Sequence, residues 1–116
     1  MIMQIPNEVQ EYLYDTVQRL TAVMPVKTIW LYGSYAKGTY NQYSDLDLFI
    51  VTNDKSKRRI DWIREASGAI DRNFGLPVEI VVNYEDDFEE RCKGTYTLER
   101  EIVKTGLKIY EQNITA

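Results

Sequence analysis

Three acidic side chains in this chain occupy positions that plain surface charge explains poorly. Asp45 and Asp47 open the run Asp45-Leu46-Asp47-Leu48-Phe49-Ile50-Val51, which reads as a strand. Strand side chains alternate, so the two carboxylates share one face, and Leu46, Leu48 and Ile50 share the other. Neighbouring carboxylates repel, and one of them should have a raised pKa unless a cation sits between them. A hard divalent cation with oxygen ligands, Mg²⁺ above all, relieves that repulsion. Glu79 lies between Val78 and Ile80 in a third apolar run and shares a face with Val81, so simple solvent exposure accounts for it weakly. Gly33-Ser34 breaks an earlier apolar run. A glycine there lets backbone approach a ligand, and turn N–H groups with the Ser34 hydroxyl can hold phosphate oxygens. A phosphate cradle beside a carboxylate cluster is suited to metal-assisted phosphoryl or nucleotidyl transfer.

The elements around these residues can bring them together. Val9, Leu13, Val17, Leu20 and Met24 recur as one helical face, with Asn7 as its expected cap and Pro25 as its stop. Residues 27–32 read as a first strand and 45–52 as a second. Between them, 35–44 read as a turn with one short helix. After a polar loop at 53–57, Ile60, Ile63, Ser67, Ile70 and Phe74 mark a helix face, with Gly75 as its C-cap. Residues 78–83 read as a third strand, 85–93 and 97–105 as helices, and 107–110 as a short last strand. A right-handed strand–helix–strand crossover makes strands two and three parallel. Strand one must then run antiparallel to strand two for the Gly-Ser turn to meet Asp45. The expectation is an α+β fold: a mixed sheet of three or four strands, core order 1-2-3, with helices packed on one face.

Composition narrows the function. One domain over 1–116 is expected, because two would leave fewer than 60 residues each, too few for separate stable cores. With 14 Lys and Arg against 18 Asp and Glu, the net charge of −4 disfavours sequence-independent binding of long nucleic acid. There is no histidine, which rules out His-based zinc sites and His general bases within the chain. The single cysteine, Cys92, permits no internal disulfide and suits a cytoplasmic protein. Met1 to Glu8 lack the pattern of a secretory signal, and no run approaches the ~20 apolar residues that span a bilayer.

Taken together, Gly33-Ser34, ten residues, Asp45-Leu46-Asp47 and a later acid in an apolar strand resemble the DNA polymerase beta-type nucleotidyltransferase superfamily. "LYGSYAKGTYNQYSDLDLFIV" is similar to that family's strand–GS–strand core, "PVEIVV" to its third-acid strand, and "EREIVKTGLKIYE" to the ending of its minimal, single-domain members. The resemblance covers about residues 7–112. It implies a metal-dependent transferase in which Asp45, Asp47 and Glu79 hold two Mg²⁺ (or Mn²⁺) ions and act catalytically. Gly33, Ser34, Lys37 and Ser44 would lie along the nucleoside triphosphate. Two positions depart from the family pattern: the third acid is often Asp and is here Glu79, and Lys37 stands where relatives often carry Arg, losing bidentate phosphate geometry.

The resemblance further implies transfer of AMP from ATP to an acceptor hydroxyl. Minimal members resemble antitoxins that pair with helical HEPN-type toxins, some adenylylating a toxin tyrosine, and a partner of that kind is expected. Two other readings stand beside it: a non-catalytic antitoxin with a vestigial site, and one chain of a two-chain antibiotic-modifying transferase. A homo-oligomer is left open. The remaining charged and aromatic features read as structural. Glu85 to Glu90 read as a solvated helix face, and Lys55, Lys57, Arg58 and Arg59 as a solvated helix start ahead of the other reading, contact with a triphosphate or an acidic partner. Cys92 is expected to be half-buried. Tyr35, Tyr40 and Tyr43 surround the motif, but nine tyrosines in the chain dilute any base-stacking signal.

Overall fold

The computed structural model describes residues 5–112; the reading of the chain's start over residues 1–4 lies outside them. Helix α1, Asn7–Val23, buries Val9, Leu13, Val17 and Leu20 as the spacing predicts, and Tyr12 and Thr16 beside them. Met24 forms the C-cap and is buried too. The N-cap is Pro6, not Asn7, and makes no side-chain cap bond. Its fixed backbone angle places the cap one residue before the expected position, so that Asn7 is the first helical residue.

Strand β1, Thr28–Tyr32, is followed by the short helix α2, Ser34–Lys37, then β2, Leu46–Thr52, and α3, Arg59–Ala69. Strand β3, Val78–Tyr84, leads directly into α4, Glu85–Cys92, and then come α5, Leu98–Thr105, and β4, Leu107–Glu111. The sheet order is β3-β2-β1-β4. β2 and β3 run parallel, and β1 runs antiparallel to both β2 and β4. The core order 1-2-3 therefore holds, and β4 is added on the far side of β1.

Helices cover both faces of the sheet, which corrects the expectation of one. Leu46, Leu48 and Ile50 pack with α1 and α3, together with Ile29, Leu31, Ile80 and Val82. On the opposite face Phe49 and Val51 pack with Phe88 of α4 and Ile102 of α5. The cause is in β2 itself. From Leu48 to Val51 every residue is apolar, so both pleats need cover. Glu99 of α5 is also buried, 5% exposed, and its Oε1 accepts from Nε of Arg91 at 2.9 Å. Thr97 caps α5 by accepting from the Arg100 N–H.

The face expected for the 60–74 helix is also corrected. α3 stops at Ala69, and a 3-10 turn over Arg72–Phe74 follows, closed by Gly75. The buried residues of α3 are Trp62 and Ala66, with Ile63 packed partly against them, while Ile60 and Phe74 are exposed. Trp62 wins because its ring buries the most area and its indole N–H reaches the Asp54 carbonyl at 3.0 Å. Among the described residues, no helix is long and apolar enough to cross a membrane.

Candidate active site

The strand registers assemble the site. Tyr32 lies opposite Asp47 across the β1–β2 ladder, and Asp47 lies opposite Glu79 across the β2–β3 ladder. Strands in a sheet stand roughly 4.8 Å apart, so these residues form one row across three strands. By alternation the row shares the sheet face of Phe49 and Val51, at the rim of the surface that α4 and α5 cover. Asp45 lies two residues before Asp47, just outside β2, and is exposed.

The turn after β1 closes over this row. Gly33 has φ 76° and ψ −152°, a conformation close to glycine-only backbone. A Cβ at that position would overlap the Oδ2 oxygen of Asp47. Gly33 is needed twice, for its angles and for its contact. The Ser34 backbone begins α2 at that point, and Gly38, also at positive φ, ends the helix.

The electrostatics follow from this crowding. Burial pushes the Asp47 carboxyl pKa up, and the charges of Glu79 and Asp45 push it further. This is the raised carboxylate expected of an acid pair without a cation. The Tyr32 phenol is pushed up to about 12 by burial and then by Asp47 and Glu79. Among the described residues, no lysine or arginine forms an ion pair with Asp45, Asp47 or Glu79. No three acidic or cysteine side chains among them stand in a ready-made metal-binding arrangement either. The donors suit a hard cation nonetheless. They are carboxylate oxygens with uncompensated charge, and exposed Asp45 and Glu79 are free to rotate toward partly buried Asp47.

The other expected site residues lie around this row. Ser34 is partly buried in the turn, and its carbonyl accepts from the Thr39 N–H at 3.0 Å. Lys37 is exposed at the end of α2 and pairs with Glu101 of α5 at 3.7 Å. The Ser44 hydroxyl accepts from the Asn41 N–H at 2.8 Å, so it braces the turn that delivers Asp45. Tyr35 is buried and stacks on Tyr40 at 4.5 Å between ring centroids, while Tyr43 stands 83% exposed. Two neighbours escaped the sequence reading, Tyr32 and Glu101. Tyr32 directly precedes Gly33, and antiparallel pairing through the Gly-Ser turn places it beside Asp47. Only the register makes that visible. Nothing in the sequence signals the pairing of Glu101 with Lys37.

Comparison with known proteins agrees with this geometry. Residues 8–109 match the family model described as "Nucleotidyltransferase domain". A Haemophilus influenzae protein named a probable protein adenylyltransferase, MntA, is 30% identical over 87 residues, 74% of this chain and 76% of its own length. A Methanocaldococcus jannaschii protein with a protein-adenylyltransferase name is 26% identical over 85 residues, 73% of this chain and 79% of its own. A second protein from that organism, also with such a name, is 53% identical over 34 residues, 29% of this chain and only 23% of its own length. Among solved structures, a candidate nucleotidyltransferase of Sulfolobus solfataricus superposes with a TM-score of 0.62 at 19% identity, covering 88% of this chain and 79% of that one. A chain from a Shewanella oneidensis complex of tri-AMPylated HEPN toxin with MNT antitoxin superposes at 0.55 and 17% identity, covering 95% and 74%. The chain belongs to the nucleotidyltransferase domain family.

Proposed function

We propose that this member of the nucleotidyltransferase family transfers AMP from ATP to a hydroxyl on a partner protein. The observation that carries the reading is the row Tyr32–Asp47–Glu79 with Gly33 folded onto Asp47. That arrangement puts a phosphate-sized turn against uncompensated carboxylates. Backbone N–H groups of the Gly33-Ser34 turn and the Ser34 hydroxyl would hold the triphosphate, and Lys37 would swing from Glu101 toward it. Asp45, Asp47 and Glu79 would hold Mg²⁺, with Glu79 nearest the acceptor. Bound Mg²⁺ would neutralise phosphate charge and ease ionisation of the acceptor hydroxyl.

The transfer balances simply. The acceptor oxygen bonds to the α-phosphorus, the bond from that phosphorus to the bridging oxygen breaks, and pyrophosphate leaves. The hydroxyl proton would pass to a carboxylate of the row, Glu79 being the one nearest the acceptor. The row lies open at the sheet's rim, so the acceptor has to be brought by a partner. The names of the adenylyltransferase relatives and the toxin–antitoxin complexes among the structural neighbours favour a HEPN-type helical toxin in that role. One observation favours a second reading, a binding antitoxin with an idle site: the three carboxylates are not gathered into a metal-binding arrangement.

One experiment separates the two. The chain is incubated with ATP, Mg²⁺ and a HEPN-type helical protein as candidate partner, and that protein is weighed by mass spectrometry. The expected result is an added AMP on a partner hydroxyl, a tyrosine by the resemblance, which Glu79→Gln abolishes while the complex still forms. A partner that is inhibited yet unmodified would refute the catalytic reading and leave the binding one.

A further inference from the structure

The sheet has two edges, and they differ in kind. β4 is guarded: Lys108 and Glu111 lie on it, and its pairing with β1 shifts register between Ile29 and Trp30. Such charges and irregularities keep other strands from pairing with an edge. β3, the opposite edge, is a seven-residue run, Val78-Glu79-Ile80-Val81-Val82-Asn83-Tyr84, without proline, lysine or register shift. A long, regular edge whose single charge, Glu79, lies near one end is a template for another strand.

A groove of about 750 Å³ wraps this edge. Its lining includes Val81 and Asn83 from one face of the sheet and Val82 and Ile63 from the other, so the open backbone edge of β3 runs through it. Three guanidiniums border it, those of Arg58, Arg59 and Arg91. Arg58 bonds to Asp61 at 3.0 and 3.3 Å, Arg91 to buried Glu99 at 2.9 Å, and Arg59 to the neutral amide oxygen of Asn83 at 3.2 Å. A guanidinium has five N–H donors, so each keeps donors beyond these bonds. Asp61 and Glu99 offset two of these charges, so the positive excess at the border centres on Arg59, whose bonded partner is neutral.

We propose that the β3 edge docks an extended, acidic segment of a partner protein, which adds a strand to the sheet and anchors its carboxylates on Arg58, Arg59 and Arg91. The segment does more than bind. Arg59, bonded to Asn83, and its neighbour Arg58 stand at the Asn83–Tyr84 end of β3, Arg91 lies on α4 beyond Phe88, and Glu79 stands at the other end of the strand. The five-residue step between Glu79 and Tyr84 spans about 17 Å of strand. A partner strand anchored at the basic end would therefore run toward the carboxylate row and could present a hydroxyl there. This delivery role rests on the proposed AMP transfer, whereas the docking itself does not. A second copy of the chain is the competing occupant. Pairing antiparallel about Val81, it would set its own Glu79 against these arginines and close the row that the transfer needs open.

The test uses a fluorescein-labelled decapeptide of alternating Val and Glu carrying one Tyr. Its control has the same charge but Pro in place of Val, so it cannot pair along an edge. The alternating peptide should bind the parent and Asp45→Asn/Asp47→Asn equally, which separates docking from the fate of the transfer reading. Arg58→Glu/Arg59→Glu, at two exposed positions, should weaken it about tenfold or more. Backbone amide exchange should slow in residues 78–84 and not in β4. The proposal is overturned if the proline peptide binds as tightly, if protection appears away from β3, or if the free protein is a dimer whose β3 amides are already protected.

Discussion

Gly33→Ala perturbs the site at its tightest point. Two costs are built into that position. The backbone conformation, φ 76° and ψ −152°, costs a non-glycine residue about 1–3 kcal/mol. The new Cβ would also overlap the Asp47 carboxylate and force it off its rotamer, roughly a further 0.5–1.5 kcal/mol. Alanine returns about 0.4–1 kcal/mol by restricting the unfolded chain. The net loss should be about 0.5–4 kcal/mol, and at about 4 °C per kcal/mol for a domain of this size, the melting temperature should fall by about 2–16 °C. Gly75→Ala supplies the control, because Gly75 also has positive φ, 89°, yet nothing lies within 4 Å of its would-be Cβ. It should lose only about 0–1.5 kcal/mol, strain less the same entropic return. The contact itself is isolated by a double-mutant cycle. On an Asp47→Ala background, Gly33→Ala should cost about 0.5–1.5 kcal/mol less than on the parent, since the clash is gone and only strain remains. Nucleotidyl transfer by Gly33→Ala should fall about a hundredfold or more, the usual consequence of moving a reacting group by an ångström. Thermal melts and the transfer assay read all of this. Equal losses at Gly33 and Gly75, with no coupling to Asp47, would refute the claim that the turn is folded onto the carboxylate.

Further outcomes follow from the same geometry. The folded-state pKa of Asp47 lies above its unfolded value of about 3.9, so the parent binds this proton more tightly when folded. Stability should therefore be lost as pH rises from that value through the raised one. In EDTA, Asp47→Asn should melt higher than the parent at pH 7 and converge with it in acid, and parallel curves would show that Asp47 carries no such strain. Mg²⁺ with nucleotide should raise the parent's melting temperature by mass action and leave Asp45→Asn/Asp47→Asn unmoved; an equal rise in both would place the metal elsewhere. Ser34→Ala should weaken ATP binding by about 1–3 kcal/mol in calorimetry without lowering the melting temperature, and unchanged affinity would remove Ser34 from the cradle.

What the sequence could show depended on whether a feature was local. The spacing of Val9, Leu13, Val17 and Leu20 fixed α1 because one helix face is a property of one segment. Asp45, Asp47 and Glu79 could be grouped because chain topology allows few arrangements of a Gly-Ser turn, a crossover helix and three strands. Features that depend on pairing were out of reach. Tyr32 joins the row only through the β1–β2 register, and Glu101 reaches Lys37 only because α5 packs beside the turn. The second helical layer was within reach, since the unbroken run from Leu48 to Val51 leaves neither pleat polar. That run matters for the site itself. Phe49 and Val51 are buried under Phe88 and Ile102 on the face that also carries Asp47, whose own partial burial beside Glu79 and Asp45 lifts its pKa. The α4–α5 layer thus covers the apolar part of that face, and the carboxylate row stands at its rim, where the Gly33 turn closes on Asp47, and Asp45 and Glu79 stay exposed.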